Sequence, residues 1–189
     1  MQSKSRATIK DRDFNFENSL VRITANRSCP EIRLAGFNIG PFEEGNDYEV
    51  YYWTALELEK VGIARFKGEE QLDTIKLNKV QWTERIQTTG QISKLPEYFY
   101  PRLRRRLSEL RSEIAKDPEK LREYERLSQL TQDIANSRLR KIVSIASAPA
   151  QTENTLRNFT EEEKFLYERL YKLISLWRKQ ILEYNGGPE

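Results

Sequence analysis

The chain has 189 residues, of which 38% are hydrophobic and 32% charged, and its formal net charge is +3. This length allows one domain or two small ones, and the positive excess is weaker than that of a dedicated nucleic-acid-binding protein. The absence of histidine and the single cysteine, Cys29, exclude histidine-based acid–base and metal-ligand chemistry and a disulfide within the chain.

The N-terminal part is predicted to be a small β-rich domain with short helices over residues 15–86, preceded by a mobile tail over residues 1–14. Short apolar runs, bounded by glycine, proline and asparagine, predict strands within this domain. These strands cover residues 20–25, 32–35, 37–39, 48–51 and 63–66.

Two helical runs are predicted in the same domain. Trp53 and Leu56 lie at helical spacing, and Gly62 suits the position that follows the last turn of a helix. The second run covers residues 69–86, although its apolar stripe is imperfect. A stretch bounded by glycine and proline then predicts a linker over residues 87–95.

The second half is predicted to be a helical domain over residues 96–183, followed by a tail over residues 184–189. Large apolar residues recur there every three or four positions, which is the spacing of one helical face. The first such stripe consists of Phe99, Leu103, Leu107, Leu110 and Ile114.

Two further helices follow in this domain. Asp117 and Pro118 form a helix-start signal, and the run that follows to about residue 148 would be roughly 45 Å long. Thr160 and Glu163 have the spacing of a capping box. The predicted fold class is therefore α+β, a small N-terminal β-rich module followed by a C-terminal α-helical bundle domain with one long helix. Such a bundle has more apolar surface than its helices can cover among themselves, so we expect a protein partner.

No stretch of the sequence carries a catalytic or ligand-binding motif. There is no GxxxxGK(S/T) loop and no GxGxxG, and adjacent glutamates such as those at 161–163 suit helix starts. No apolar run approaches the ~20 residues that span a bilayer, and no signal-peptide pattern follows the basic N-terminus. We therefore expect an intracellular protein that is not an enzyme, with no catalytic residue, no metal and no cofactor.

A basic face on the first helix of the second half has three interpretations. It is a solvated face paired with Glu109 and Glu113, a contact for a partner's acidic surface, or a contact for nucleic-acid phosphate. The residues concerned are Arg102, Arg105, Arg106 and Arg111. The tryptophans also have two interpretations, as core residues or as interface anchors. They are Trp53, Trp82 and Trp177.

Two segments resemble the GINS family, the small replication proteins that assemble as a tetramer. The first reads Ile-Arg-Leu-Ala-Gly-Phe-Asn-Ile-Gly-Pro-Phe-Glu-Glu-Gly over residues 32–45 and Tyr-Trp-Thr-Ala-Leu over residues 52–56. It looks like the small β domain of the subunits related to the second and third eukaryotic partner proteins. The second segment is similar to the family's helical domain. It reads Arg-Leu-Arg-Lys-Ile-Val over residues 138–143 and Phe-Thr-Glu-Glu-Glu over residues 159–163.

The order of these segments implies the β-domain-first type of GINS subunit. The Gly-Pro-Phe turn favours the second-partner side, and the compact length suggests an archaeal member. The resemblance implies a non-catalytic subunit of a tetramer, with two copies joining two copies of a helix-first paralogue. The tetramer would bridge the MCM helicase ring and a RecJ-family, Cdc45-like protein at the replication fork. The location would be cytoplasmic and nucleoid-associated in an archaeon, or nuclear in a eukaryote.

The resemblance also implies which residues make contacts. The helical domain would form most of the tetramer interface, with Arg138 and Lys141 partly buried against carboxylates. The candidate interface residues are Trp53, Tyr98, Phe99, Tyr100, Leu103, Leu107, Arg138, Lys141 and Trp177. Two rival functions stay open. One is an independent nucleic-acid-binding protein that uses Arg102, Arg105 and Arg106, and the other is a helical adaptor unrelated to replication.

Overall fold

The computed structural model describes residues 9–34, 36–67, 72–88, 90–115, 117–148 and 153–182. The chain divides into two compact units between Leu72 and Asp73. The first unit combines short strands with helices, and the second is helical with one long helix. The predicted α+β class is therefore confirmed.

The first unit is built from short antiparallel strands. Its described elements are α1 (Ile9–Glu17), β1 (Leu20–Ala25), β2 (Ile32–Leu34), β3 (Phe37–Ile39), β4 (Asp47–Tyr51), α2 (Tyr52–Lys60) and β5 (Ala64–Phe66). Strand β1 lies between β4 and β5 in one sheet, and β2 pairs with β3 in a separate hairpin. The register places Val21 opposite Val50 and Thr24 opposite Arg65. The structure thus contains each predicted strand, within a residue or two of its predicted bounds, and the predicted end of the second strand at Ala35 lies outside the described residues.

The core of the first unit forms on one face of β1. Val21, Ile23 and Ala25 are buried, whereas the residues between them are not. Successive side chains of a strand point to opposite faces, so this alternation produces one apolar face and one solvent-facing side. Ala55 and Leu58 of α2 belong to the same buried cluster. Helix α2, which begins just after Tyr51, therefore covers the apolar face of β1.

Helix α1 differs from the mobile tail that we expected over residues 1–14. Residues 9–14 are helical, and residues 1–8 lie outside the described part of the chain. The ring of Phe16 is buried and lies 4.3 Å from the ring of Tyr52, measured between centroids. The Phe16 side chain thus packs α1, whose other residues are mostly polar, against α2. The residue pattern of α1 does not predict this contact.

The second unit is arranged around one long helix. Its described elements are α3 (Thr74–Ile86), α4 (Phe99–Ile114), α5 (Lys120–Ser147), α6 (Glu153–Leu156) and α7 (Glu161–Leu182). Helix α5 has 28 residues, which corresponds to about 42 Å. Helices α3, α4 and α7 each pack against it. None of the helices in the described ranges combines the length and the hydrophobicity needed to span a membrane.

Helix α3 belongs to the second unit, whereas the sequence led us to place residues 69–86 in the β-rich domain and a linker at 87–95. The helix begins at Thr74, where the carboxylate of Asp73 caps it by accepting from the Lys76 amide at 2.7 Å. Its imperfect stripe faces α5 through Leu77, and Ile92 of the expected linker is buried against α5. Glycine and proline signals mark chain turns, and here the turns fall inside a compact unit rather than at its edge.

The observed start of α7 agrees with the start predicted from the sequence more closely than the observed start of α5 does. The Glu163 amide donates to the Thr160 hydroxyl at 3.3 Å, and the Glu163 carboxylate accepts from the Thr160 amide at 2.9 Å. This is the predicted capping box. Helix α5 begins at Lys120, two residues after Pro118, and the Asp117 carboxylate accepts from the Glu119 amide in the preceding turn.

Substituting Gly40 should destabilise the first unit more than substituting Gly45. Both residues have positive φ angles, +89° and +85°, which cost an alanine about 1 kcal/mol. A Cβ atom at Gly40 would also lie 3.2 Å from the ring of Phe42, a buried core residue, whereas a Cβ at Gly45 meets nothing within 4 Å. We expect Gly40→Ala to cost about 2 kcal/mol or more and Gly45→Ala about 1 kcal/mol. Urea unfolding combined with amide hydrogen exchange in β1 measures both, and equal losses would contradict the packing argument.

Candidate functional site

Four charged side chains are buried together at the centre of the helical unit. We call this group the buried ion cluster. It consists of Glu84 on α3, Arg138 and Lys141 on α5, and Glu163 on α7. Each of these side chains is at most 4% exposed to solvent. The two positive and two negative charges balance, so the cluster as a whole is neutral.

Arg138 is the centre of the cluster. Its Nη1 donates to a carboxylate oxygen of Glu84 at 2.7 Å, and its Nη2 and Nε donate to the two oxygens of Glu163, the first at 2.7 Å. Its Nη1 also donates to the backbone carbonyl of Ser93 at 2.9 Å. A planar guanidinium with a fixed fork of donors suits two carboxylates on different helices. This one side chain therefore joins α3, α5, α7 and the segment between α3 and α4.

Lys141 and Ser93 complete the environment of Glu84. The Lys141 ammonium donates to the second carboxylate oxygen of Glu84 at 2.7 Å and to the Glu84 backbone carbonyl at 2.8 Å. The Ser93 hydroxyl and amide both donate to the first oxygen. A buried carboxylate is costly unless it is paired and hydrogen-bonded, and both oxygens of Glu84 meet this condition.

Tyr100 extends the cluster to α4. Its hydroxyl donates to Glu163 at 2.7 Å, on the same oxygen that accepts from Arg138. Glu163 thus caps α7, binds Arg138 and receives Tyr100. Each helix of the unit that packs on α5 therefore contributes at least one hydrogen bond to the cluster.

The electrostatics favour the charged form of the cluster. Burial alone would raise the pKa of Glu84, but hydrogen bonds from Lys141 and Ser93 and the charge of Arg138 hold that pKa below its usual value. Burial would likewise lower the pKa of Arg138, and Glu163 and Glu84 raise it instead. For Tyr100, burial and the adjacent Glu163 carboxylate both raise the pKa, so its hydroxyl stays a donor. Each carboxylate oxygen of the cluster accepts at least one hydrogen bond.

The entry of α4 is mostly buried, which limits its role as an interface. Phe99 and Leu103, both candidate interface residues, are buried inside the unit and have no surface to offer a partner. Leu107 is half-buried. Tyr98 precedes the helix in the left-handed region at φ 52°. The apolar stripe of α4 therefore packs against the core of its own unit, as the apolar face of an amphipathic helix ordinarily does.

A group of exposed apolar side chains lies at the far end of α7. We call the following set the α7 apolar face; each member is more than half exposed: Leu173, Leu176, Trp177, Ile181 and Leu182. The first half of the helix is different, because Tyr167 is buried and Leu170 is partly buried against the core. In the first unit, Trp53 is partly exposed and lies edge-on to Phe37, with 5.6 Å between ring centroids.

The basic face of α4 is largely compensated by carboxylates. Arg105 pairs with Glu109 at 3.1 Å, and Arg106 pairs with Glu123 of α5 at 2.9 Å. Arg102 is half-buried. This arrangement is close to the solvated, paired face that the sequence offered as one interpretation, with Glu123 in the place expected for Glu113.

Within the described ranges, no group of three or more acidic or cysteine side chains is arranged to hold a metal ion.

Sequence reasoning did not identify Glu84 and Ser93. Glu84 lies seven residues after Leu77, hence on the buried face of α3, and this is the signal that was available. A glutamate on an apolar helix face either interrupts the buried face or is itself buried in an ion pair. The sequence distinguishes the two only if the basic partner of the glutamate is known. Ser93 lies in a segment with no periodicity, so nothing in the sequence marked it.

The comparisons with known proteins are consistent with this fold in both units. A family model described as the GINS complex protein helical bundle domain matches residues 71–182, and one described as the PSF2 N-terminal domain matches residues 8–66. The DNA replication complex GINS protein PSF2 of Homo sapiens is 28% identical over 172 residues, covering 87% of this chain and 89% of that protein. The probable DNA replication complex GINS protein PSF2 of Caenorhabditis elegans is 28% identical over 136 residues, covering 71% and 70%.

Replacing Arg138 should destabilise the helical unit strongly. Arg138→Met removes the guanidinium and leaves Glu84, Glu163 and Lys141 with one uncompensated negative charge, and breaking a buried pair in this way typically costs about 3–5 kcal/mol. Arg140→Met is the matched control, because it removes an exposed arginine from the same helix and should cost less than about 0.5 kcal/mol. Urea unfolding followed by far-ultraviolet circular dichroism measures both. A loss below about 1 kcal/mol for Arg138→Met would mean that the cluster does not support the fold.

The stability of the helical unit should depend on pH through Glu84. Because its folded pKa lies below the unfolded value, its contribution is fully present above the unfolded pKa and is lost as the pH falls through the folded pKa. Glu84→Gln should therefore flatten the acid side of the plot of unfolding free energy against pH. Glu125→Gln, which changes an exposed glutamate of α5, should leave that slope unchanged. If both variants retained the wild-type slope, the proton linkage would have to arise elsewhere.

Proposed function

Since the helical-bundle model of GINS complex proteins matches more than half of its residues, the chain belongs to the GINS family, and we propose that it is a non-catalytic structural subunit of a GINS tetramer. The family assignment makes it a subunit of a complex that acts in DNA replication. In the proposed tetramer, two copies of this chain join two copies of a helix-first paralogue. The β-first order of the two matched segments supports this pairing.

The α7 apolar face carries the proposal. Five large apolar side chains lie exposed between Leu173 and Leu182, and exposed apolar patches of this kind mark interaction sites. Trp177 lies within the patch, and tryptophan is the residue most often found at the energetic centre of an interface. Burial of this surface by a second subunit would stabilise an assembly that the isolated chain leaves incomplete.

The buried ion cluster suits a scaffold rather than a reaction site. All its charges are paired and its carboxylates are buried away from solvent. Its effect is to fix α3, α5 and α7 relative to one another. A subunit that bridges other proteins needs such a rigid unit, since flexible contacts would lose affinity to ordering entropy.

The wider role follows from the family resemblance. We propose that the tetramer connects the MCM helicase ring with a RecJ-family, Cdc45-like protein at the replication fork, as we expected from the two resembling segments. The contact surfaces for the helicase would then lie outside the α7 apolar face, which the paralogue occupies. The compact chain would fit an archaeal complex.

The rival function, independent binding of nucleic acid by Arg102, Arg105 and Arg106, has less support. Two of these arginines already pair with Glu109 and Glu123. Binding of phosphate would have to break those pairs before counterion release could contribute. The paired face is thus a weak starting point for a nucleic-acid site.

The tetramer is tested by co-expression with the helix-first paralogue and mass measurement by multi-angle light scattering. We expect a complex with two copies of this 22.4 kDa chain and two copies of the paralogue. A chain that remains monomeric beside the paralogue would refute the proposal.

Trp177→Ala should weaken the assembly by about 2 kcal/mol, or roughly thirtyfold in dissociation constant. Trp82→Ala is the matched control, because Trp82 is exposed to a similar extent on α3, outside the α7 apolar face. Light scattering over a dilution series gives the dissociation constant for each variant. If Trp82→Ala weakened the tetramer and Trp177→Ala did not, the interface would lie on α3 and not on α7.

A further inference from the structure

A polar cleft of about 240 Å³ lies between α3 and α5. Helix α3 contributes Gln81, Glu84 and Arg85 to its walls, and the part that α5 contributes includes Asp133, Asn136 and Arg140. We call it the α3–α5 cleft. It opens on the side of α3 that does not pack into the core, since Arg85 and Arg140 are both exposed.

Two arginines and one aspartate of the cleft carry charges that have no ion-pair partner among the described residues, so the unpaired charges leave a net positive excess. The Asp133 carboxylate already accepts from the side-chain amides of Gln81 at 2.8 Å and Gln129 at 3.1 Å. Within the described part of the chain, neither Arg85 nor Arg140 has a carboxylate within ion-pair distance. The recess therefore holds two guanidiniums that have no ion pair. It also holds the Asp133 carboxylate, whose partners are neutral amides, and Glu84, whose charge is paired with Arg138 and Lys141. By contrast, Arg105 and Arg106 on α4 are paired.

An apolar stripe lies directly beside the cleft. Ile75, Trp82 and Ile86 are spaced seven and four residues apart on α3, so they share one face of the helix, and their exposed fractions are 79%, 68% and 63%. Trp82 precedes Arg85 by three residues, which makes the two side chains neighbours on the helix surface. Helical spacing therefore puts an exposed aromatic ring next to the guanidinium of Arg85 at the edge of the cleft.

We propose that the α3–α5 cleft binds an acidic segment of a partner protein. Carboxylates of that segment pair with Arg85 and Arg140, and an apolar side chain beside them packs on Trp82 and Ile86. Arginine forms bidentate pairs with carboxylates, and arginine and tryptophan are the residues most enriched at interface hot spots. This surface is separate from the α7 apolar face, so the binding does not require the proposed tetramer.

An acidic protein segment fits this surface better than nucleic acid does. A phosphodiester chain is held by a row of cations along its length. Here only two guanidiniums are unpaired, and the Asp133 carboxylate lies in the same recess. Trp82 is the one aromatic plane of the stripe, whereas successive bases of a single strand stack on several. A peptide that alternates carboxylates with apolar side chains matches both the charges and the stripe.

Fluorescence anisotropy on the full chain tests the proposal directly. The probe is a short fluorescein-labelled peptide in which Asp and Glu alternate with Leu and Phe. Two further probes are the same peptide with Asn and Gln in place of the acids, and a labelled single-stranded DNA. We expect binding of the acidic peptide to be about tenfold tighter than binding of the neutral one. Equal binding of the two peptides, or tighter binding of the DNA, would overturn the proposal.

Single substitutions locate the site. Arg140→Gln should weaken acidic-peptide binding about fivefold, and Arg140→Lys, which keeps the charge but not the fork, should weaken it less. Arg111→Gln removes one exposed positive charge from α4 and should have no effect. An equal loss with Arg111→Gln would mean non-specific attraction and would overturn the proposal.

The tryptophans separate this surface from the tetramer interface. Trp82→Ala should weaken acidic-peptide binding at least tenfold, whereas Trp177→Ala should leave it unchanged. These are the reverse of the effects expected on assembly with the paralogue. Failure of one proposal is therefore distinguishable from failure of the other. A peptide affinity that survives Trp82→Ala and Arg140→Gln would rule out the cleft.

Discussion

Compensation of the Arg138 charge is the constraint on which the helical unit depends. A guanidinium with no exposure to water is tolerated only if carboxylates reach it at hydrogen-bond distance, and here Glu84 and Glu163 come from two different helices. Apolar side chains tolerate some sliding between helices, because a methyl group packs acceptably in several positions. Hydrogen bonds of 2.7 Å to the fixed fork of a guanidinium do not tolerate such sliding, because a small shift would break them. The cluster thus explains why α3, which has an imperfect apolar stripe, is a full member of the helical unit.

Residues that are buried in the interior support the fold, whereas residues outside the core remain available to partners. Phe99 and Leu103 complete the core, and Tyr100 bonds to Glu163, so the entry of α4 contributes to stability. The two surfaces that we propose for partners lie outside the packed core, on the last turns of α7 and on the outer side of α3. Partners can therefore bind without rearranging the buried charges, and a variant such as Trp177→Ala can test binding without unfolding the chain.

The sequence predicted most of the elements and much less of their association. Alternation in residues 20–25 identified β1, and the Thr160 to Glu163 spacing identified the start of α7, because both signals are local. The domain boundary was misplaced because a turn near Gly90 looks the same whether it joins two domains or two helices. Glu84 was missed for a related reason: its partners Arg138 and Lys141 are more than fifty residues away in the chain, a relation that only the tertiary structure reveals.

The surroundings of the two exposed tryptophans of the helical unit would suit the two kinds of partner that we propose. Trp177 lies among leucines and isoleucines, and burial of such a surface gives stable, largely permanent association. Trp82 lies beside Arg85, where charge steers the encounter and salt weakens it, a combination suited to a partner that binds and leaves. A scaffold that is assembled once and then meets changing partners would need one surface of each type. In this chain the two surfaces lie on different helices, α7 and α3, and each packs on α5 and contributes a carboxylate to Arg138.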